Sequence, residues 1–241
     1  MNEDRAGRPE LLAPVGDWDC LVAAVQNGAD AVYLGGQQFS ARQFAENFGP
    51  EEMSRAVTYA HVRGVRVYVA VNTLIKEREI ASVLEYAAGL YSMGVDAVIV
   101  QDLGLLSLLA RALPALPVHA STQMTVHHPE TIRWLAGRGV KRVVLARELS
   151  LEEVRDCVAA GLELEVFVHG ALCVSYSGQC LMSSMIGGRS GNRGRCAQPC
   201  RLEYTLVDRE GRPFAGAGEA GSHLLSTRDL AALDLLPDLT A

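Results

Sequence analysis

The sequence predicts an α/β fold, a TIM-type (β/α) barrel lacking its last strand, with a Cys/Arg-rich loop and a β-hairpin inserted after strand seven. Three observations carry this expectation. A glycine, one or two polar residues and a short β-branched run recur as Gly28-ADAVYL, Gly64-VRVYVAV, Gly94-VDAVIV, Gly139-VKRVVL and Gly161-LELEVFV. A glycine that ends a helix at positive φ and runs straight into a buried strand explains the pattern. The strands are continuous apolar runs, as in a parallel sheet covered on both faces. Finally, the first turn, APVGDWD, is not the G-x-G-x-x-G of a doubly wound nucleotide fold, which favours the barrel.

Taken in order, strand one is expected at Glu10-LLA, and the aspartate of Asp17 caps a helix to Asn27. After the Gly28 strand, Pro50 and two acids open a helix to Arg63, a favourable start for the helix dipole. Lys76 to Met93 places Ile80, Val83, Leu84, Ala87 and Leu90 on one face. Helices follow at Leu103 to Leu113, Pro129 to Arg138 and Ser150 to Ala160, the last with Ser150 and Glu153 as a capping box. Strand five is Pro117-VHA. Beyond the Gly161 strand, Glu203-YTLVD, a REG turn and Arg212-PFA read as a hairpin. Ala215 to Ser222 is glycine-rich and expected to be mobile, Asp229 to Leu239 reads as a helix, and no eighth strand is found. The whole, 1–241, is expected as one barrel-like domain with 170–228 as its insertion.

The net charge of −6 and a pI near 5.5 argue against a generally basic nucleic-acid-coating surface, though not against a local basic site. The polar start MNEDRAGRPE and the lack of an eighteen-residue apolar run point to a cytoplasmic, reducing location with no membrane insertion. There, clustered cysteines are more often metal-binding or redox-active than structural disulfides.

The cysteines are clustered. Between Val166 and Leu202 there is no acid, yet Cys173, Cys180, Cys196 and Cys200 occur as C-x6-C-x15-C-x3-C among Arg189, Arg193, Arg195 and Arg201. Thiolates suit iron–sulfur or zinc centres, and the spacing lacks the C-x2-C knuckles of most structural zinc sites. An iron–sulfur cluster of the 4Fe–4S kind, which four thiolates suffice to close, leads; zinc, or no metal with a redox disulfide, remains open. Cys20 and Cys157 read as core residues. The arginines suit a phosphate or carboxylate, or the charge of a cluster. Polar residues also gather where barrel chemistry sits, at the strand ends: Arg42 and Asn47, Asn72, Gln101 and Asp102, His119 with Ser121, Thr122 and Gln123, Arg147 and Glu148, and His169.

E-V-F-V-H-G-A-L-C-V-S-Y-S-G-Q-C-L-M-S-S, from Glu165 to Ser184, together with Gly188 to Arg201, the opening ELLAPVGDWDCLVAAVQNGADAVYLG and the FSAR at Phe39 to Arg42, resembles the collagenase-like peptidase family, U32, over essentially the whole chain. The resemblance implies one of two activities. One is oxygen-independent hydroxylation of an RNA base or of ubiquinone, with a cysteine-bound cluster; the other is the proteolysis for which the family was named. For the first, His169 within this signature and His119 and Glu148 at strand ends are the expected catalytic residues, and Arg42, Asn72, Gln123, Arg147, Arg189, Arg193 and Arg195 are expected to bind RNA or a small carboxylate, such as the prephenate that the resemblance implies as co-substrate. Relatives also continue into a last strand of S-L-K-I-E-G-R type, and several carry a further cysteine after K-D-L. Here Arg228-Asp229-Leu230 is followed by Ala231. Cys200 is then the expected fourth ligand, unless the cluster keeps three cysteines and an open iron. For proteolysis, Cys173, Ser175 or Ser177 beside His169 would be the nucleophile, and no H-E-x-x-H suggests a metalloprotease. A non-catalytic, cluster-carrying partner subunit is the third reading.

Overall fold

The computed structural model describes residues 8–41, 46–214 and 222–240. Arg42 and most of the glycine-rich stretch from Ala215 to Ser222 therefore lie outside the described residues. Strand and helix alternate as β1 (Leu12–Val15), α1 (Trp18–Gln26), β2 (Ala31–Gly35), α2 (Pro50–His61), β3 (Arg66–Val71), α3 (Ile80–Ser92) and β4 (Ala97–Val100). They continue as α4 (Leu103–Ala112), β5 (Val118–Ala120), α5 (Pro129–Ala136), β6 (Arg142–Val144), α6 (Leu151–Val158) and β7 (Glu163–Glu165). The seven strands pair in sequence order, all parallel.

Local chemistry accounts for these boundaries. Gly28, Gly64, Gly94, Gly139 and Gly161 hold φ between 71° and 88°, the left-handed turn that lets each helix run directly into the next strand. Asp17 and Asp102 accept from the backbone N–H of Cys20 and Leu105 at 2.7 and 2.8 Å, and Ser150 with Glu153 forms the expected capping box.

The sheet curls. β1 and β6 stand five strand-steps apart, about 24 Å in a flat sheet at roughly 4.8 Å per step. Yet the Arg142 guanidinium at the start of β6 reaches Glu10, just before β1, at 2.6 Å. Alternate side chains therefore face two different interiors. Val67, Val69, Val98 and Val100 pack outward against the helices in the main core. Ala31, Tyr68, Ala97 and Ile99 face the axis, packed with Leu12 and Tyr33. The result is a seven-stranded half-barrel of TIM-barrel-like build, with its helices on the outside.

Four expectations need correction. Strand one lies two residues later than Glu10-LLA, because Glu10 is a floor residue whose carboxylate takes hydrogen bonds from Arg142 and Tyr68. The expected helix from Asp229 to Leu239 begins instead as β9 (Leu230–Ala231), which pairs antiparallel with β8 (His169–Gly170). Only Leu236–Thr240 is helical, as α8. α7 (Met182–Gly187) lies within the inserted segment, and the hairpin is reduced to the bridges Val207–Pro213 and Tyr204–Ser222. Cys157 is fully buried as expected, whereas Cys20 is exposed on α1.

Candidate functional site: a cysteine-lined cavity at the mouth of the barrel

The axial face of the sheet changes character from one end to the other. At the N-terminal ends it is a floor of charges. Arg142 donates from Nε and one terminal nitrogen to Glu163 at 3.0 and 2.8 Å and from the other to Glu10. Arg66 also pairs with Glu10. Glu165 receives only a 3.8 Å approach from Arg142, too long for a hydrogen bond, and its Oε2 is buried without a partner. Burial pushes the Glu165 carboxyl up to about 7, with the Arg142 charge opposing. The His119 ring meets Tyr68 edge-on at 4.7 Å, and burial, then the charge of Arg142, depresses it to about 3.

At the C-terminal ends the same face opens into a cavity of about 470 Å³. Tyr33, Ala70 and Phe167 line its depth, Asn72, Gln123, Arg147 and His169 its wall, and Cys173, Cys180, Cys196 and Cys200 its roof. Four cysteines spread over 28 residues of sequence thus face one space, brought there by the way the segment folds over the mouth.

Specific ties hold the segment down. The turn Gly191–Arg193 docks beside β3: Leu74 N–H donates to the Asn192 carbonyl at 3.1 Å, and Arg193 donates to Glu79 at 2.7 and 2.6 Å and to the Leu74 carbonyl at 2.5 Å. That guanidinium, with the Lys76 backbone N–H, holds the Glu79 carboxyl down to about 2. Beside β6, the Ser177 N–H and hydroxyl donate to Glu148 Oε1 at 2.7 and 2.9 Å, and Arg147 donates to Ser177 Oγ at 3.3 Å and the Ala171 carbonyl at 3.2 Å. Beside β5, Thr125 donates to the Ser177 carbonyl at 2.6 Å. Gly178, at φ 76°, lies so close that a Cβ would stand 2.1 Å from the Gln123 carbonyl oxygen. Arg201 stitches the far side, donating to the Leu172 and Thr227 carbonyls.

The electrostatics at the roof are those of crowded thiols. Burial, and next the Cys173 charge, push the Cys200 thiol up; Arg201 opposes, and Cys196 and Cys180 add to the rise. The Gln198 N–H donates to Cys196 Sγ at 3.4 Å. Among the described residues no three His, Cys, Asp or Glu side chains converge as around a single metal ion. A lone zinc ion draws its four ligands to about 2.3 Å, whereas a multinuclear iron–sulfur core spaces its thiolates more widely. Four thiols around one cavity fit the larger group in number and in donor chemistry.

The expected residues divide accordingly. Asn72, Gln123, Arg147, His169 and the four cysteines share the cavity. His119 does not: it lies within β5, not after it, facing the floor beside Tyr68. Glu148 is not among the cavity's lining residues and is engaged with Ser177, so its place is to anchor the segment. Arg193 is likewise tied to Glu79. Arg189 and Arg195 are exposed and make no side-chain hydrogen bond or ion pair among the described residues. Sequence reasoning missed Phe167, Glu79 and Glu165, and read Ser177 as a candidate nucleophile where it anchors the segment on Glu148. Glu165 and Phe167 stand in the E-V-F-V-H-G run at the same alternation as His169, a period of two that signals a shared face. Ala231 stands opposite His169 in the β8–β9 ladder.

No hydrogen bond joins His169 to Cys173, Ser175 or Ser177 among the described residues, and Ser177 is fully buried with its hydroxyl given to Glu148.

The chain is similar in sequence to known proteins. The family model "Peptidase family U32" matches residues 16–241. The chain is 43% identical over 223 residues to a 23S rRNA 5-hydroxycytidine C2501 synthase of Escherichia coli, covering 92% of the chain and 33% of that protein. It is 40% identical to an uncharacterized protease of Methanocaldococcus jannaschii, covering 95% and 57%. It is 36% identical to a tRNA hydroxylation protein P1 of Bacillus subtilis, covering 96% and 56%. The chain thus spans between about a third and somewhat over half the length of these relatives. Among solved structures, a U32 peptidase, Mk0906, superposes with a TM-score of 0.59 at 20% identity, covering 71% of the chain and 73% of that protein; this likeness bears on the fold alone.

Proposed function

The chain belongs to Peptidase family U32, and from that premise we propose that it takes part in hydroxylating a base in RNA, without molecular oxygen. The observation that carries the reading is the convergence of Cys173, Cys180, Cys196 and Cys200 on one cavity at the barrel mouth, in a chain whose relatives include proteins named for rRNA and tRNA hydroxylation.

The four cysteines would hold an iron–sulfur cluster, with Cys200 as the fourth ligand, position 231 being alanine here. Bound there, such a cluster would supply one-electron chemistry. The chain's own residues do the rest. Asn72 is fixed, its Oδ1 accepting from the Ala41 N–H at 2.8 Å, and with Gln123 it presents amides that can both donate to and accept from a base edge. Arg147, held by Ser177 and the Ala171 carbonyl, sets a guanidinium on the wall, suited to a carboxylate co-substrate. His169 at the rim can give or take a proton.

Proteolysis is less well supported, since its nucleophile and base are not paired and Ser177 is spent on Glu148. The test is anaerobic purification of the natural protein with iron and sulfide analysis. Mass spectrometry of rRNA and tRNA nucleosides from cells with and without its gene completes it. The expected result is bound iron and sulfide, and one nucleoside that lacks an oxygen atom when the gene is removed. Iron-free protein that cleaves gelatin, with unchanged RNA, would overturn the proposal.

A further inference from the structure

We infer that the cavity takes one unstacked nucleotide from an unpaired stretch of RNA, while Arg189 and Arg195 hold the strand that flanks it. The inference rests on the RNA reading above and adds what form of RNA the site can accept and which residues grip it.

The first ground is size. A space of about 470 Å³ equals a cube under about 8 Å on edge, less than the span of two paired bases with both their backbones. No double helix enters it, although the volume lies within the range that holds a single small ligand. A base whose atoms are to react inside must leave its stack, and that step is cheapest where the base has no pairing partner.

The second ground is the lining. Phe167 and Tyr33 give the cavity aromatic surface, and the Arg147 guanidinium lies 5.8 Å from the Phe167 ring centre. An aromatic wall with amides beside it, here Asn72 and Gln123, suits an extruded base, which needs a face to stack on and an edge to bond.

The third ground is charge. The stretch from Val166 to Leu202 holds no acid, and the structure sorts its four arginines. Arg193 is neutralised by Glu79 and Arg201 is spent on carbonyls, with Asp229 at 3.7 Å. Arg189 stands two residues from Gly191, and Arg195 is next to Cys196. Both Gly191 and Cys196 line the cavity, and both arginines are exposed and uncompensated among the described residues. Tyr176, 67% exposed and two residues before the cavity-lining Gly178, adds a stacking surface outside. Two free guanidiniums beside a narrow mouth match a polyanionic strand, whereas a collagen-like peptide offers them nothing comparable.

The test uses the natural full-length protein and two RNA hairpins carrying a fluorescent cytosine analogue that brightens when unstacked, one in the loop and one in the stem. The loop probe should bind and brighten without turnover; the stem probe should not brighten. Arg189→Ala with Arg195→Ala should remove about 1.4 from the slope of log affinity against log salt, roughly 0.7 for each single-strand phosphate that an arginine no longer neutralises. Phe167→Leu should weaken binding of the loop probe yet leave that slope unchanged, and Phe167→Tyr should restore the affinity. Equal brightening in the stem, an unaltered slope in the double variant, or a gelatin peptide displacing the loop probe would overturn the inference. Brightening without any gain of oxygen in RNA would support it while overturning the proposed function. Oxygen added equally to a base-paired cytosine would do the reverse.

Discussion

Replacing Glu165 with glutamine should stabilise the protein, and by more as the pH rises. Its carboxyl lies on the floor of the barrel with Oε2 unpartnered, because Arg142 spends its nitrogens on Glu10 and Glu163. Burial lifts it from 4.5 to about 7. Between those values the native state keeps a proton that the unfolded chain has released, so stability falls as pH rises through the window. Above it, keeping the carboxylate ionised costs about 3 kcal/mol, at about 1.4 kcal/mol for each tenfold in proton affinity. Glutamine keeps the shape and removes the charge. His119 acts in the opposite sense. Depressed from 6.5 to about 3, it stays neutral in the native state while the unfolded chain takes up a proton, so its contribution is lost as pH falls below 6.5. From pH 4.5 to 6.5 the two slopes cancel in the natural protein. In Glu165→Gln the His119 slope should emerge, a rise of about 1.4 kcal/mol per pH unit. Urea denaturation from pH 4.5 to 8 reads both effects. A variant no more stable than the natural protein at pH 8, or a difference that does not change with pH, would refute the reasoning.

Cys200→Ala should lower the iron retained after anaerobic purification, while Cys20→Ala, on the exposed face of α1, should not; equal iron in both would remove Cys200 from the ligand set. Ser177→Ala removes the hydroxyl that Glu148 and Arg147 share while keeping the backbone N–H to Glu148, and should cost about 1–3 kcal/mol and speed proteolytic nicking within 171–201. Unchanged nicking would show that this anchor is idle. Gly178→Ala places a Cβ 2.1 Å from the Gln123 carbonyl oxygen at φ 76°, and should lower the melting temperature by several degrees with weakened iron binding, since about 1 kcal/mol already shifts a domain of this size by 2–4 °C.

Most of the scaffold was legible because its signals are local. A glycine at positive φ before each β-branched run, capping aspartates and the Ser150–Glu153 box are all fixed by residues within four positions of one another. Where long-range contacts decide, local reading fails. Leu230 and Ala231 have helical propensity but pair with β8 across sixty residues of chain. His119 carries the chemistry of a site residue, yet the period of two along β5 turns it to the floor. The cysteines were found by their company, but their shared cavity depends on ties such as Arg193 with Glu79, 114 positions apart, which no spacing rule anticipates.

The same logic explains how the sheet stays curled. β1 and β7 are its edges, and among the described residues no ladder joins them. Side chains bridge the gap instead: Arg142 spans from Glu163 on β7 to Glu10 before β1, and the cysteine segment spans the mouth above. Arg142→Met should therefore be costly, about 3–5 kcal/mol for stranding buried carboxylates. Its coupling to Glu165 distinguishes a true electrostatic hub from a mere packing residue. Arg142 partly offsets the burial that raises Glu165, so without it the carboxylate is worse off, and Glu165→Gln should then recover more stability than it gives in the natural protein. A double-mutant cycle by urea denaturation at pH 8 measures the difference. If glutamine gives the same gain with and without Arg142, the 3.8 Å approach carries no energy, and the floor is held by Glu10 and Glu163 alone.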